Sequence, residues 1–197
     1  MGKGGINMRT DVRIRPEEHR DYKDIIRLIL CSFQQGTNYS DGMDVVALVQ
    51  EIRESQYYLP ELSFVAEIEN KIVGFFLFSG FPLSRTNEGK HIKGIESEMV
   101  LLAPVAVHED YFRQGVGSTM IRLGIEKVKE KGYKGIIVEG NPTFYNKVGF
   151  QTSAEYGIYP TSGWPMDDPR CMMCQETYPQ ALNEIQGYVV YDMYYNT

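Results

Sequence analysis

Pro104-Val105-Ala106-Val107-His108-Glu109-Asp110-Tyr111-Phe112-Arg113-Gln114-Gly115-Val116-Gly117-Ser118 is the stretch on which the fold turns. It closes an apolar run that begins at Val100, passes through an acidic and aromatic turn, and opens a helix with two glycines. Pro104 has no N–H to give to a ladder, so inside such a run it predicts a bulge or a break in sheet pairing. Gly115 and Gly117 let the backbone of a helix start come close to a ligand where a Cβ would obstruct it. A helix start also carries unpaired N–H groups and the positive end of the dipole, a combination that favours a phosphate. Arg113 adds a charge and Ser118 a hydroxyl at the same mouth. A glycine-rich turn without a ligand would use the same residues.

Two familiar phosphate loops do not fit. No G-x-x-x-x-G-K-[ST] is present, and the dinucleotide fingerprint fails because Met120 stands where a third small residue belongs. That fingerprint also belongs on the first strand of a βαβ fold, whereas this loop lies beyond the chain's midpoint.

Working outward, residues 115–131 have helical spacing, with Val116, Met120 and Val128 on one face and Gly132 as the stop. Upstream, residues 12–15 alternate like a strand, and Tyr22, Ile25, Ile26, Ile29 and Leu30 mark a helix. A second helix is expected at about 44–54, with Tyr57-Tyr58-Leu59-Pro60 closing the helical region. Residues 62–68 and 72–81 read as a hairpin turning at Glu69-Asn70-Lys71, 84–94 as a loop, and 95–107 as the next strand. Downstream come a buried strand at 134–139, a short helix at 143–147 and a strand from Gly149. An irregular ordered loop at 153–168 follows, then strands at 171–176 and 187–194. Residues 1–9 are read as a flexible N-terminal segment and 10–197 as a single domain, its part from about 153 forming an acceptor-side loop and extra strands.

Composition sets bounds. The 197 residues carry 20 Lys plus Arg against 26 Asp plus Glu, a net charge of −6, so generic nucleic-acid binding is disfavoured. With 43% hydrophobic and 23% charged residues the chain is ordinary globular material. No apolar run approaches the ~20 residues of a membrane span, and no signal peptide is recognisable, so the expected compartment is the cytoplasm. Cys171-Met172-Met173-Cys174 reads as sulfur-rich core rather than half of a metal site, because no second cysteine pair accompanies it. No metal is expected.

Pro104 to His108 followed by Arg113 to Ser118 resembles the acetyl-CoA signature of the GNAT superfamily of N-acetyltransferases. Asn141-Pro142-Thr143-Phe144-Tyr145-Asn146-Lys147-Val148-Gly149-Phe150 is similar to its second motif, a Tyr shortly before Gly-Phe. The resemblance covers roughly residues 10–160. It looks nearest to a bacterial subgroup of N-acetyltransferases without assigned substrates, with a Tyr/Pro-rich segment and extra strands after Gly-Phe.

The resemblance implies an α/β (α+β) fold: a central mixed, mostly antiparallel twisted sheet, splayed near residues 104–107 and flanked by helices. It implies acetyl-CoA as acyl donor. Val105, Ala106 and Val107 would pair with the pantetheine arm, and Arg113, Gln114, Gly115, Val116, Gly117 and Ser118 would cradle the pyrophosphate. Asn141 and Tyr145 would complete the cofactor site. Phe112 departs from the family, which often has Gln or Arg there. The implied chemistry is direct attack by an amine in a ternary complex, with a backbone N–H near Val105 as oxyanion donor and Tyr145 as general acid.

Glu96 and Glu98 alternate along the strand before Pro104, and Glu98 is the candidate base, against salt-bridge and surface readings. His108 reads as a capping residue. The acceptor is expected to be a small-molecule or peptide amine, the acidic balance favouring a cationic one. Tyr39, Tyr57, Tyr58, Tyr156, Tyr159 and Trp164 are candidates for its pocket. No nucleic acid or membrane is expected as a partner, and a homodimer is left open. The rival reading is a catalytically idle acyl-CoA sensor or interaction module.

Overall fold

A computed structural model describes residues 9–34, 42–87, 97–161 and 163–191. Its frame is the hairpin of β2 (Tyr58–Ile68) and β3 (Lys71–Ser79), turned at Glu69 and Asn70, both with positive φ. Phe64, Val65, Phe75, Phe76, Leu77 and Phe78 are buried on both faces, which explains the nearly unbroken apolar run of β3. β1 (Arg13–Pro16) pairs antiparallel with β2, and β5 (Met99–Val107) antiparallel with β3. β6 (Gly135–Glu139), β9 (Met172–Glu176) and β7 (Gln151–Thr152) complete a seven-stranded sheet in the order β1-β2-β3-β5-β6-β9-β7. β5 and β6 are parallel; the other neighbours are antiparallel.

Helices cover both faces. α1 (Tyr22–Gln34) and α2 (Met43–Glu54) lie on one, their Ile25, Leu28, Ile29, Val49 and Ile52 packed with Val65, Phe75, Leu101 and Ile137. α3 (Val116–Glu130) and α4 (Pro142–Tyr145) lie on the other, with Met120, Ile121, Val128 and Tyr145 against Phe76, Phe78, Val100 and Val138. α3 sits close on the sheet because two glycines permit it. A Cβ on Gly124 would stand 2.5 Å from the Phe76 ring, and one on Gly74 would stand 2.4 Å from Met120 Sδ. Glu17 and Arg53 tie the first helical face to the sheet. The Glu17 carboxylate, 1% exposed, accepts from Arg53, from Tyr58 Oη at 2.7 Å and from Ser63 Oγ at 2.7 Å.

The sheet opens at Pro104, as its missing N–H requires. Phe78 pairs with Leu102 but Phe76 pairs with Val105, so β5 carries one extra residue at Ala103-Pro104. On its other side β5 pairs with β6 only through Leu102↔Val138. Beyond that point residues 103–107 keep β3 and lose β6. The Ala103-Pro104 peptide is cis.

Several elements differ from expectation. Residues 57–60 do not close the helical region; β2 starts at Tyr58, and a bulge between Tyr58 and Ser63 keeps Pro60 out of the ladder. β4 (Leu83–Ser84), β8 (Ile158–Pro160) and β10 (Gly187–Val189) form a second, three-stranded sheet in the order β4-β10-β8. Segments expected as loops, 84–94 and 153–168, therefore each contribute a short strand. β5 starts at Met99 and β10 ends at Val189; the expected extensions over 95–96 and 192–194 lie outside the described residues. So do residues 1–8 of the expected flexible segment, whereas the Arg9 N–H donates to Thr119 Oγ1 at 3.1 Å. Among the described residues no helix is long and apolar enough to cross a membrane.

Candidate active site

A groove of about 860 Å3 runs from the start of α3 to the opened edge of β5. The alternation of the ladder decides which backbone groups face it. The His108 N–H donates to Val73 C=O at 2.8 Å, and Ala106 lies opposite Phe75, so residues 106 and 108 spend their backbone groups on β3. Those of Val105 and Val107 point the other way, to the edge that β6 has left. The Val107 N–H there donates to Ser32 Oγ of α1 at 3.3 Å.

At the other end, Arg113 and Gly115 both have positive φ, 59° and 83°, and this pair of left-handed residues turns the chain sharply into α3. No side chain caps the helix. The N–H groups of Val116, Gly117 and Ser118 thus start a helix at the groove wall with nothing from the chain's own caps to satisfy them. Gly117 leaves the approach clear, since a Cβ there would stand 3.3 Å from Phe144 Cζ and 3.6 Å from Val107 Cγ2. Arg113 and Lys147 bring positive charge to this wall of an acidic chain.

Tyr145 closes the middle of the groove. Its ring is held edge-on between Phe144 and Phe150, at centroid distances of 5.0 and 5.6 Å. Gly140 lets it come in, because a Cβ there would stand 2.6 Å from the ring. Burial pushes the phenol pKa well above its ordinary value, so the group is a protonated donor at neutral pH. An uncapped helix start, a strand edge that β6 has left and a protonated phenol share one groove, an arrangement suited to a phosphorylated ligand with an extended arm.

The comparisons agree with this geometry. A family model described as an acetyltransferase (GNAT) domain matches residues 60–152. The N-acetyltransferase YjhQ of Escherichia coli K12 is 33% identical over 136 residues, 68% of this chain and 71% of that one. The chain belongs to the GNAT acetyltransferases. A second such relative, YhbS of E. coli K12, is 27% identical over 150 residues, 76% of this chain and 81% of that one. The crystal structure of E. coli YhbS in complex with CoA superposes with a TM-score of 0.77 at 26% identity, covering 97% of this chain and 95% of that one. An acetyltransferase from Brucella melitensis, solved with acetyl-CoA, shares the fold at a TM-score of 0.69 and 22% identity.

Within this GNAT fold the expected site residues separate. Val105, Val107, Arg113, Gln114, Gly115, Val116, Gly117, Ser118 and Tyr145 all line the groove. Ala106 does not, since its side chain is fully buried in the core under α1 and α2. Asn141 caps α4, its Oδ1 accepting the Thr143 N–H at 2.9 Å, and is not on the groove wall. Glu98 stands before the start of β5, about 20 Å of strand from Val105 at ~3.3 Å per residue. It is exposed and bound to Lys134 Nζ at 2.8 Å, so the salt-bridge reading describes it and the catalytic one does not. Glu96 and Tyr39 lie outside the described residues. His108 caps the turn at 109–111, its Nδ1 accepting the Asp110 N–H at 3.3 Å.

The expected aromatic pocket also divides. Tyr57 is core, Tyr58 serves Glu17, and the Tyr156 hydroxyl donates to Gln151 at 2.6 Å. Tyr159 packs against Trp164 and Tyr188 at 6.1 and 5.6 Å. Ser32, Tyr111, Phe144 and Lys147 line the groove without having been singled out. Ser32 had no signal in sequence, being 75 residues from the backbone it meets. Phe144 and Lys147 sat inside the Tyr-before-Gly-Phe motif. Cys171 and Cys174 are buried free thiols, and burial pushes the Cys174 pKa up to about 12. Among the described residues no cluster of His, Cys, Asp and Glu forms a metal-binding group.

Proposed function

We propose that this protein transfers the acetyl group of acetyl-CoA to a primary amine of a small molecule or peptide, by direct attack in a ternary complex. The observation that carries the reading is the conjunction of the uncapped start of α3, the freed edge of β5 and Tyr145 on one groove. The first supplies several N–H donors and a dipole to a pyrophosphate. The second offers backbone partners to the amide-bearing pantetheine arm, as a neighbouring strand would. That the E. coli relative and the Brucella protein were solved with CoA and acetyl-CoA supports the same donor here.

The chain's own groups then divide the work. A backbone N–H of the freed edge, near Val105, stabilises the oxyanion as the amine adds to the thioester carbon. Tyr145 gives its phenolic proton to the departing thiolate, for which its burial keeps it protonated. The free thiols of Cys171 and Cys174 fit a reducing compartment, and the cytoplasm is where we place the reaction. Retention of Tyr145 on the groove favours catalysis over an idle acyl-CoA sensor.

The test is calorimetric titration with acetyl-CoA followed by a thiol-release screen over primary amines. Binding with turnover supports an enzyme. Binding without turnover by any amine turns the assignment to the sensor, and no binding at submillimolar concentration refutes both.

A further inference from the structure

β5 and β6 part immediately after Leu102↔Val138, and the next β6 residue is Glu139, the last of its strand. Its ladder partner is Met172 on β9. Alternation puts Val138 on the α3 face with Tyr145 and Glu139 on the opposite face with Ile137 and Met172. The fork is therefore flanked by two protonatable side chains, one on each face. Gly140 links them: it follows Glu139 in the chain, and its missing Cβ admits the Tyr145 ring.

The α3 start and Tyr145 stand on the α3 side of the groove, while Ser32 of α1 reaches its opened edge from the other side. A donor bound against the α3 start and Tyr145 would leave the Glu139 side of the fork for an acceptor. On that side the Tyr191 hydroxyl faces the Glu139 carboxylate and favours its ionised form, and the Cys171 thiol is a second titratable neighbour among the described residues. Ala103, across the fork on β5, brings no charge. The Glu139 side chain is exposed at the end of β6, and the protein packed against it raises its pKa through partial loss of hydration. A carboxylate of raised pKa that still reaches water suits proton acceptance and release.

We propose that Glu139 is the base for the acceptor, taking a proton from its ammonium group across the fork from Tyr145. This rests on the acetyltransferase reading above and adds the residue that prepares the nucleophile. The ammonium loses one proton to the Glu139 carboxylate, and the neutral amine adds to the thioester carbon. The C–N bond forms, the C–S bond breaks, and the thiolate takes the phenolic proton of Tyr145. The second nitrogen proton restores Tyr145 through solvent. Glu139 returns its proton to solvent, so each turnover releases one.

The test compares wild type with Glu139→Gln on two acceptors of similar size, propylamine, protonated at pH 7, and trifluoroethylamine, already neutral there. We expect kcat/KM for propylamine to fall by about 100-fold or more at pH 7, in the range of a general base. For trifluoroethylamine the loss should stay within about threefold, and the propylamine loss should shrink as pH rises toward that amine's own ionisation. Acetyl-CoA affinity by calorimetry should change less than about twofold, which also shows the variant folded, and Glu139→Asp should recover part of the propylamine rate. Equal losses on both amines, or none on either, with coenzyme binding intact would overturn the role of Glu139 alone. A wild type that binds no acetyl-CoA, or binds it and acetylates no primary amine, overturns the acetyltransferase reading and this inference with it; where it accepts only other amines, the protonated and neutral pair is drawn from those.

Discussion

Gly117 is where the groove is most easily closed without disturbing the core. It is the second residue of α3, half-buried, and its N–H belongs to the uncapped first turn. A Cβ there meets only the end of the Phe144 ring at 3.3 Å and Val107 Cγ2 at 3.6 Å. Gly117→Ala therefore asks Phe144 to give by a few tenths of an ångström, and acetyl-CoA affinity should fall no more than about tenfold. Gly117→Trp is different in kind. The indole cannot fit between Phe144 and Val107 and must extend across the mouth, over the N–H groups of Val116, Gly117 and Ser118. A hydrogen bond to a charged group contributes about 1.5–3 kcal/mol, so blocking two of them costs about 3–6 kcal/mol. At 1.4 kcal/mol per decade that is a loss of roughly 100-fold to 10,000-fold in affinity. Calorimetry with acetyl-CoA and CoA measures it, with ATP as the control ligand and thermal unfolding as the check on folding. A folded Gly117→Trp protein that binds acetyl-CoA as tightly as wild type would remove this groove as the coenzyme site. ATP binding as tightly as CoA, and competing with it, would reduce the loop to a general phosphate cradle.

Three further outcomes follow from other parts of the structure. Tyr145→Phe keeps the ring packing against Phe144 and Phe150, so acetyl-CoA binding should stay within about twofold while kcat drops about 100-fold or more; unchanged turnover would remove Tyr145 from the mechanism. Glu17→Ala strands the Arg53 guanidinium, 8% exposed and stacked 3.9 Å from the Tyr22 ring centroid, and should cost about 3–5 kcal/mol in urea unfolding. Removing Arg53 as well, in Glu17→Ala/Arg53→Met, should recover much of that loss, and a double variant no better than the single would refute the account. Asp21 accepts from both Arg15 terminal nitrogens, at 2.6 and 3.0 Å, and from the Glu18 N–H at 2.8 Å; the Arg15 bonds hold its pKa below the ordinary value of 3.8. Its stabilisation is thus complete above about pH 4 and disappears as pH falls through the lower folded-state value. Arg15→Met should move the acid-unfolding midpoint to higher pH, and an unshifted midpoint would show that the pair does not govern acid stability.

How far the sequence reached can be traced residue by residue. The loop Arg113 to Ser118 was legible because backbone conformation and helix polarity are local: two glycines at a helix start can be read without knowing what surrounds them. Pro104 was legible for the same reason, since a missing N–H must break a ladder wherever the strand lies. The order of the elements along the chain up to about residue 150 followed from hydrophobic period and from the family resemblance, whereas the order of strands within the sheet came only from their pairing. Short strands were not legible. β4, β8 and β10 have two or three residues each, too few for a period, and exist because β10 brings together Leu83–Ser84 and Ile158–Pro160 from distant parts of the chain.

The sequence by itself determined the family, the glycine-bearing helix start, the opening at Pro104 and the place of Tyr145 shortly before Gly149-Phe150, because each rests on local backbone chemistry or on an uninterrupted motif. Only the tertiary structure separates Glu98 from Glu139, the carboxylate proposed as base. Glu98 and Glu139 are both acidic residues beside apolar strands, and nothing in their neighbours along the chain separates them. The parallel pairing of β5 with β6 does: it puts Glu98 beside Lys134 at the closed end and Glu139 at the fork. Ser32 reached the freed edge of β5 by the same means, through the packing of α1 on the sheet. Proximity across a sheet depends on register between strands distant in sequence, and register is fixed only when the whole core closes.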